Sequence, residues 1–523
     1  MRVGLLYPNT YHVGMSSLGL HLTYRVINAC PEARAERFFL DSIDAGSIET
    51  GASAGAFDVL AFSACYEMDG PHALDLIAAA GLPLLARDRR DDRWPLVVMG
   101  GVLVSVNRLP LYPFIDIFLH GEAEALLPAV VSAWSVARTS GRRSRLRLIE
   151  AVDGLPGVEV TAGARRAAGL RLEAGLEPAV EIPSPQPSEC PPPRPPEPVL
   201  LDGLDNPLTA TEILTPATEF SNMALLDLAR GCPHHCTFCW IGHNTPPTRS
   251  RPLRRLLEAV ETWAPFTDRF GLVASAVGAH PEIDELCRWM MRRPLRVSYS
   301  SLRVEEVTPT MLAALAHGGQ KTITIAPEAG NGRVRRLLGK LISDAAILDV
   351  VERALSLGVQ NVKQYYMIGI PSETEDEAME VVRLTEQVRR ALVRRARTTR
   401  RMGYVGVNLG VFVPKPNLPL NHIEPLPLPA VKRRLRRVVQ ALRRLPNVRV
   451  NASSPDLALA QGILSMGGLE AAGYLLLAHE LGGNWREANR RWRVETEGHL
   501  ERHRRRSRLA ADTVRARAGA AGP

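Results

Sequence analysis

The sequence is poor in lysine and cysteine, and it has no long apolar run. Lysine occurs only at positions 321, 340, 363, 415 and 432. The formal net charge of +9 is therefore almost wholly arginine, as GC-rich coding would produce. The densest basic runs, Arg389–Arg401 and Arg486–Arg517, have little aromatic interleaving. A solvated basic face explains them better than a nucleic-acid surface does. No apolar stretch is long enough for a bilayer, since Leu475, Leu476 and Leu477 soon meet His479 and Glu480. The N-terminus reads as a short strand rather than a signal peptide, so a cytoplasmic protein without a membrane partner is expected. Seven cysteines in 523 residues are too few, and too unevenly placed, for a disulfide framework.

What is present is strand–helix alternation. Arg2–Pro8 reads as an apolar strand, and Ser17–Asn28 has helical spacing through Leu18, Leu20, Leu22, Val26 and Ile27. Asp58–Ala64, Pro95–Gly101 and Ile115–Gly121 are further apolar runs. Continuous apolar strands between helices predict a parallel sheet covered on both faces. Residues 1–135 are therefore expected to form a doubly wound, Rossmann-like α/β domain with ligands at the carboxyl ends of its strands. Residues 136–222 read as an irregular and Pro-rich linker region, stiffest over 183–198.

Over 223–425 the alternation returns six times, with strands at Ala224–Arg230, Phe270–Ala276, Leu295–Leu302, Lys321–Glu328, Asn361–Ile370 and Tyr404–Val413. Six such units predict a partial (β/α)6 barrel with its chemistry at the C-terminal strand ends. Thr374 and Glu377 have the spacing of a capping box. Residues 426–523 read as a helical C-terminal region with an Arg-rich tail.

Three cysteines crowd into eight residues, Cys232-Pro-His-His-Cys236-Thr-Phe-Cys239, directly after the first strand of the second half. Three thiolates at this spacing can hold one face of a 4Fe–4S cubane and leave the fourth iron open to a small chelating molecule. The alternative is a zinc site with His234, His235 or His243 as fourth ligand. Zinc knuckles usually come as two pairs of ligands on short turns, and no second pair lies nearby.

This C-x3-C-x2-C motif, with Phe238 before the last cysteine, resembles that of the radical S-adenosylmethionine superfamily over about 223–425. The resemblance implies an enzyme in which S-adenosylmethionine chelates the open iron and is reductively cleaved to start radical chemistry. It implies cluster ligation by Cys232, Cys236 and Cys239, and cofactor contacts at Phe238, Glu328, Ile368 and Gly369. Ser275 stands where the family's second strand usually carries Gly-Gly-Glu, and Ser300 and Arg303 close the third strand as further candidate contacts. An electron donor such as flavodoxin or ferredoxin follows from the same chemistry.

The whole chain is similar to an uncharacterised group of this superfamily with an N-terminal cobalamin-binding-type domain. Its landmarks are Tyr7–Met15, Thr215–Phe220 and Phe412–Pro416, with Gly100-Gly101 and Gly121 at strand ends. The resemblance makes cobalamin a candidate third cofactor and methyl transfer the first reaction to consider. The usual Asp-x-His-x-x-Gly motif is missing, and His12 lies in a loop that does not match it. Cobalamin-independent oxidation, rearrangement or sulfur insertion is the second reading. A basic nucleic-acid-binding protein with a structural metal is the third.

Overall fold

The computed structural model describes residues 1–138, 144–172, 193–206, 210–245, 247–423 and 425–492. Most of the Pro-rich stretch and the Arg-rich tail from 493 lie outside the described residues. The chain divides into two compact units. One holds Met1–Asp202, Thr211–Ser221 and the segment from Ala460; the other holds Gly203–Ala210 and Asn222–Leu459. No helix among the described residues is long and apolar enough to cross a membrane.

The first unit is the expected doubly wound domain. Its strands are β1 (Arg2–Tyr7), β2 (Arg34–Phe39), β3 (Val59–Ser63), β4 (Leu96–Gly100), β5 (Ile117–Leu119) and β6 (Val158–Val160), in the order β2-β1-β3-β4-β5-β6. The first five are parallel; β1, β3, β4 and β5 are almost wholly buried and apolar because helices cover both faces, while β2 at the sheet edge carries Arg34, Glu36 and Arg37. The strand order reverses at β1, which puts the crevice for a ligand beside the carboxyl ends of β1 and β3.

Two expectations change here. The stretch 136–222 is not all irregular: it supplies the helix Arg145–Val152 and β6, which pairs antiparallel with β5. Buried Asp116 ties that helix to the sheet, with Arg145 Nη2 at 2.6 Å and Arg89 Nη2 at 2.9 Å. The C-terminal region is also not one body. The helix Ala471–Glu480 packs on Gly70–Ala79 of the first unit, and His479 Nδ1 meets Asp75 at 2.6 Å.

In the second unit the strands are β7 (Ala224–Asp227), β8 (Ala229–Arg230), β9 (Arg249–Ser250), β10 (Arg269–Val273), β11 (Arg296–Tyr299), β12 (Thr322–Glu328), β13 (Asn361–Ile368), β14 (Val405–Val411) and β15 (Val448–Ala452). Parallel sheets β7-β10-β11 and β12-β13-β14-β15 are joined by a bridge between Leu302 and Ile325, giving one open barrel wall. All six expected strands are present. β15 is a seventh that a purely helical reading after 426 overlooked.

Burial alternates along β12 and β13. Ile323, Ile325, Val362, Gln364 and Tyr366 are buried toward the helices, while Thr324, Lys363 and Tyr365 face the barrel interior. Thr374 accepts from Glu377 N at 3.2 Å and Glu377 accepts from Thr374 N at 2.9 Å, so the capping box forms at the helix Glu375–Thr399.

Candidate active site

The cysteine loop leaves the barrel at the carboxyl end of β7, and the antiparallel β8–β9 ribbon clamps its base. Inside the loop the chain is compact. A Cβ on Gly242 would stand 2.1 Å from the His234 carbonyl, so only glycine permits that approach. Thr237 pins the loop to the barrel from both sides. Its Oγ1 donates to Leu337 O at 2.8 Å, and its own carbonyl accepts from Leu420 N at 3.3 Å.

Burial raises the Cys232 thiol above its usual pKa, and the neighbouring Cys239 and Cys236 act in the same direction. Arg303 opposes this, and its Nη1 donates to Cys236 Sγ at 3.2 Å. Cys236 is buried, whereas Cys232 and Cys239 are partly exposed.

The three histidines of the loop each have a partner. His234 Nε2 meets Glu306, His235 Nδ1 lies 3.0 Å from Gly242 O, and His243 Nε2 lies 3.1 Å from Cys236 O. His235 and His243 bond main-chain carbonyls of the loop itself, while His234 ties the loop to Glu306 beyond β11. Three thiols on one loop at the end of the first strand are the soft donors that a 4Fe–4S cubane takes, one thiolate to each of three irons. Trp240 Nε1 and Arg303 Nε are buried donors beside the loop that lack hydrogen-bond partners, and such donors suit the sulfurs of an anionic cluster.

Glu328 ends β12 after a register shift and has φ +68°, a left-handed conformation for a non-glycine residue. Such strain costs about 1–3 kcal/mol and is concentrated at functional sites. Lys340 Nζ lies 3.4 Å from Glu328 Oε1 and donates to Ala326 O at 3.1 Å. Burial raises the Glu328 pKa, opposed by Lys340 and then Arg303. Arg303 thus donates to the thiol of Cys236, and its charge also favours the ionised form of Glu328.

The other candidates are placed less directly. Phe238 packs against the apolar cluster of Ala329, Val334, Leu338, Ile370, Phe412 and Leu420. Ile368 O accepts from Phe412 N at 2.9 Å, and Gly369 N donates to Glu373 Oε2 at 3.1 Å, so two of that dipeptide's main-chain groups are already bonded. Ser275 and Ser300 are exposed in the loops after β10 and β11.

Sequence reasoning missed Lys340, although its rarity as a lysine was a signal. It also missed Glu373, which is buried against Arg434 Nη1 at 3.0 Å and accepts from the main chain of Gly369. In the first unit, Gly101 and Gly121 have φ +107° and +137°, and a Cβ on them would meet Ala64 O at 2.3 Å and Val199 O at 2.2 Å. Close main-chain packing against Ala64 and Val199 is what requires glycine at these two strand ends.

An open α/β barrel with a three-cysteine loop after its first strand, and a carboxylate closing its fourth, defines a cluster-dependent barrel enzyme. The chain belongs to the radical S-adenosylmethionine superfamily. Residues 226–385 match the superfamily model, and residues 19–160 match the model for the N-terminal region of radical SAM proteins. An uncharacterised protein of Methanocaldococcus jannaschii is 26% identical over 478 residues, covering 90% of each chain. The tRNA-2-methylthio-N(6)-dimethylallyladenosine synthase of a Wolbachia sp. is 22% identical over 206 residues, covering 37% of this chain and 47% of that enzyme.

Among solved structures, the radical S-adenosylmethionine methyltransferase TsrM from Kitasatospora setae, with cobalamin and a [4Fe-4S] cluster bound, aligns at TM-score 0.49 and 14% identity. That alignment covers 96% of this chain and 99% of TsrM. The cobalamin-dependent radical enzyme OxsB aligns at TM-score 0.47 and 12% identity, covering 74% of this chain and 52% of OxsB.

Proposed function

We propose that this enzyme cleaves S-adenosylmethionine at a 4Fe–4S cluster held by Cys232, Cys236 and Cys239, and uses cobalamin in the first unit for methyl transfer. The observation that carries the reading is the three-cysteine loop at the end of the first barrel strand, with Arg303 Nη1 donating to Cys236 Sγ at 3.2 Å. When bound, cluster and S-adenosylmethionine supply a 5′-deoxyadenosyl radical or a methyl group; the protein positions both and excludes water. Arg303 offsets the negative charge that three thiolates gather in one loop. Glu328 accepts hydrogen bonds from the cofactor's cationic end, and Lys340 holds that carboxylate in place. Phe238 presents an apolar surface to the adenine. The cobalamin part is supported by the sequence resemblance and by the ligand crevice that the β2-β1-β3 order creates. A small redox protein such as flavodoxin or ferredoxin supplies the electron.

The decisive experiment is anaerobic reconstitution with iron and sulfide. Reduced protein is expected to give an electron paramagnetic resonance signal that shifts on adding S-adenosylmethionine. Replacing all three cysteines with alanine should remove both iron and signal. Stoichiometric zinc, with no iron taken up, would refute the reading.

A further inference from the structure

The carboxyl end of β13 is held by a helix that follows the barrel strands in the chain. Gly369 has φ +85°, and a Cβ there would lie 3.1 Å and 3.3 Å from the two methyl carbons of Val431 on the helix Leu428–Arg443. A glycine in this conformation has no side chain to anchor it, so the orientation of its peptide depends on hydrogen bonds and packing. Its N–H donates to Glu373 Oε2 at 3.1 Å, and Glu373 N donates back to Ile370 O at 3.0 Å. The same Oε2 accepts from Arg434 Nη1 at 3.0 Å. Arg434 stands three residues after Val431, on the same side of the helix.

Glu373 and Arg434 are both buried, so water does little to screen this pair. Burial pushes the Glu373 carboxyl up to about 7, and the Gly369 N–H and Arg434 oppose that rise. Without Arg434 the carboxylate would be buried with no cation beside it and would take up a proton. The hydrogen bond to Gly369 would then lose its charge assistance. Arg433 and Arg437 of the same helix pair with Glu375, but both arginines are exposed and such pairs contribute little. Ile370, next to Gly369, belongs to the buried apolar cluster against which Phe238 packs. The strand end and the aromatic residue of the cysteine loop therefore frame one apolar surface.

We propose that Arg434 is a positioning residue for the adenosine half of S-adenosylmethionine: through Glu373 it fixes the Gly369 peptide, and with it the apolar strand end beside Phe238 on which the adenine rests. The assignment builds on the proposed binding of S-adenosylmethionine at this end of the barrel. Arg434 acts through Glu373, so its influence is confined to the adenosine half. The methionine half meets β12 and the cysteine loop instead, and its binding does not depend on Arg434.

The test is calorimetric titration of reconstituted protein with S-adenosylmethionine, 5′-deoxyadenosine and methionine as separate probes. Arg434→Met is expected to weaken S-adenosylmethionine and 5′-deoxyadenosine binding about tenfold, as for one lost charge-assisted contact, and to leave methionine binding unchanged. Arg434→Lys should restore most of the loss, which a misfolded barrel would not allow. In Glu373→Gln protein, adding Arg434→Met should weaken binding by no more than about twofold further, because a residue that acts through Glu373 has little left to act on. Unchanged 5′-deoxyadenosine affinity in Arg434→Met, an equal loss of methionine binding, or fully additive losses in the double variant would overturn the proposal. Iron content and S-adenosylmethionine cleavage, measured on the same wild-type batch, report separately on the radical reading. If both are present while the variants bind the adenosyl probes like wild type, only the positioning role falls.

Discussion

The guanidinium of Arg303 donates to Cys236 Sγ at 3.2 Å, and its Nε lies 3.7 Å from Glu306 Oε1. A cation on a cluster thiolate favours the more negative, reduced state of the cluster. Arg303→Ala should therefore lower the reduction potential, by on the order of 30–100 mV if part of a charge-assisted hydrogen bond is lost. Iron content should stay near wild type, because all three thiols remain. A redox titration followed by electron paramagnetic resonance checks this, and an unchanged potential would reduce Arg303 to a loop-positioning role.

Glu328 and Lys340 form the second testable pair. Loss of the carboxylate in Glu328→Gln removes a charge-assisted contact worth about 1.5–3 kcal/mol, or roughly ten- to a hundredfold in S-adenosylmethionine affinity. Cluster content should not change. Lys340→Met should weaken binding as well, because it leaves Glu328 largely buried without its nearest cation and further favours the protonated acid. Wild-type affinity in both variants would remove the pair from the site.

The architecture was legible because hydrophobic period and cysteine spacing are local properties of the chain. The six barrel strands, β1, β3, β4 and β5 of the first unit and the capping box at Thr374 follow from such patterns, whereas β2, Arg34-Ala-Glu-Arg-Phe-Phe39, has no apolar run to mark it. What escaped was non-local. β15 is half-exposed and polar, Val448-Arg-Val-Asn-Ala452, so no apolar run marks it; its place comes from pairing with β14. Nothing in Ala460–Met466 tells that this segment returns to the first unit, where Ser465 Oγ donates to Glu67 Oε1 at 2.8 Å. Glu328 was readable from its strand end, but its partner Lys340 lies across a turn and a helix, and only the fold brings them together.

Cobalamin bound by the first unit is expected to lack a histidine below the cobalt. His21 uses both ring nitrogens, at Met15 O (3.0 Å) and Glu212 N (3.1 Å). His72 Nδ1 lies 3.3 Å from Pro8 O, and His120 Nε2 lies 2.8 Å from Glu159. His12 is exposed on the short helix Tyr11–Gly14. The cobalt(II) spectrum should therefore show no nitrogen superhyperfine splitting from a histidine, and His12→Ala should leave it unaltered. Splitting that disappears in that variant would assign His12 as a ligand.

Asp69 gives the first unit a pH dependence whose sign can be worked out. It is buried beside the end of β3, and burial raises its pKa from 3.8 to about 6. Asn9 Nδ2, which donates at 3.0 Å, and His72 oppose the rise, while Glu67 adds to it. Between about pH 4 and pH 6 the folded protein keeps a proton that the unfolded chain has released, so stability falls as pH rises through this window and levels off above it. The loss is at most about 2–3 kcal/mol. Many other carboxylates titrate in the same range, so the informative quantity is the difference between Asp69→Asn and wild type. Hydrogen exchange of the 59–79 segment should show that difference growing in the variant's favour from pH 4 to pH 6, then staying constant. A difference independent of pH would mean that Asp69 is already ionised in the fold at pH 4, with Asn9 and His72 outweighing its burial.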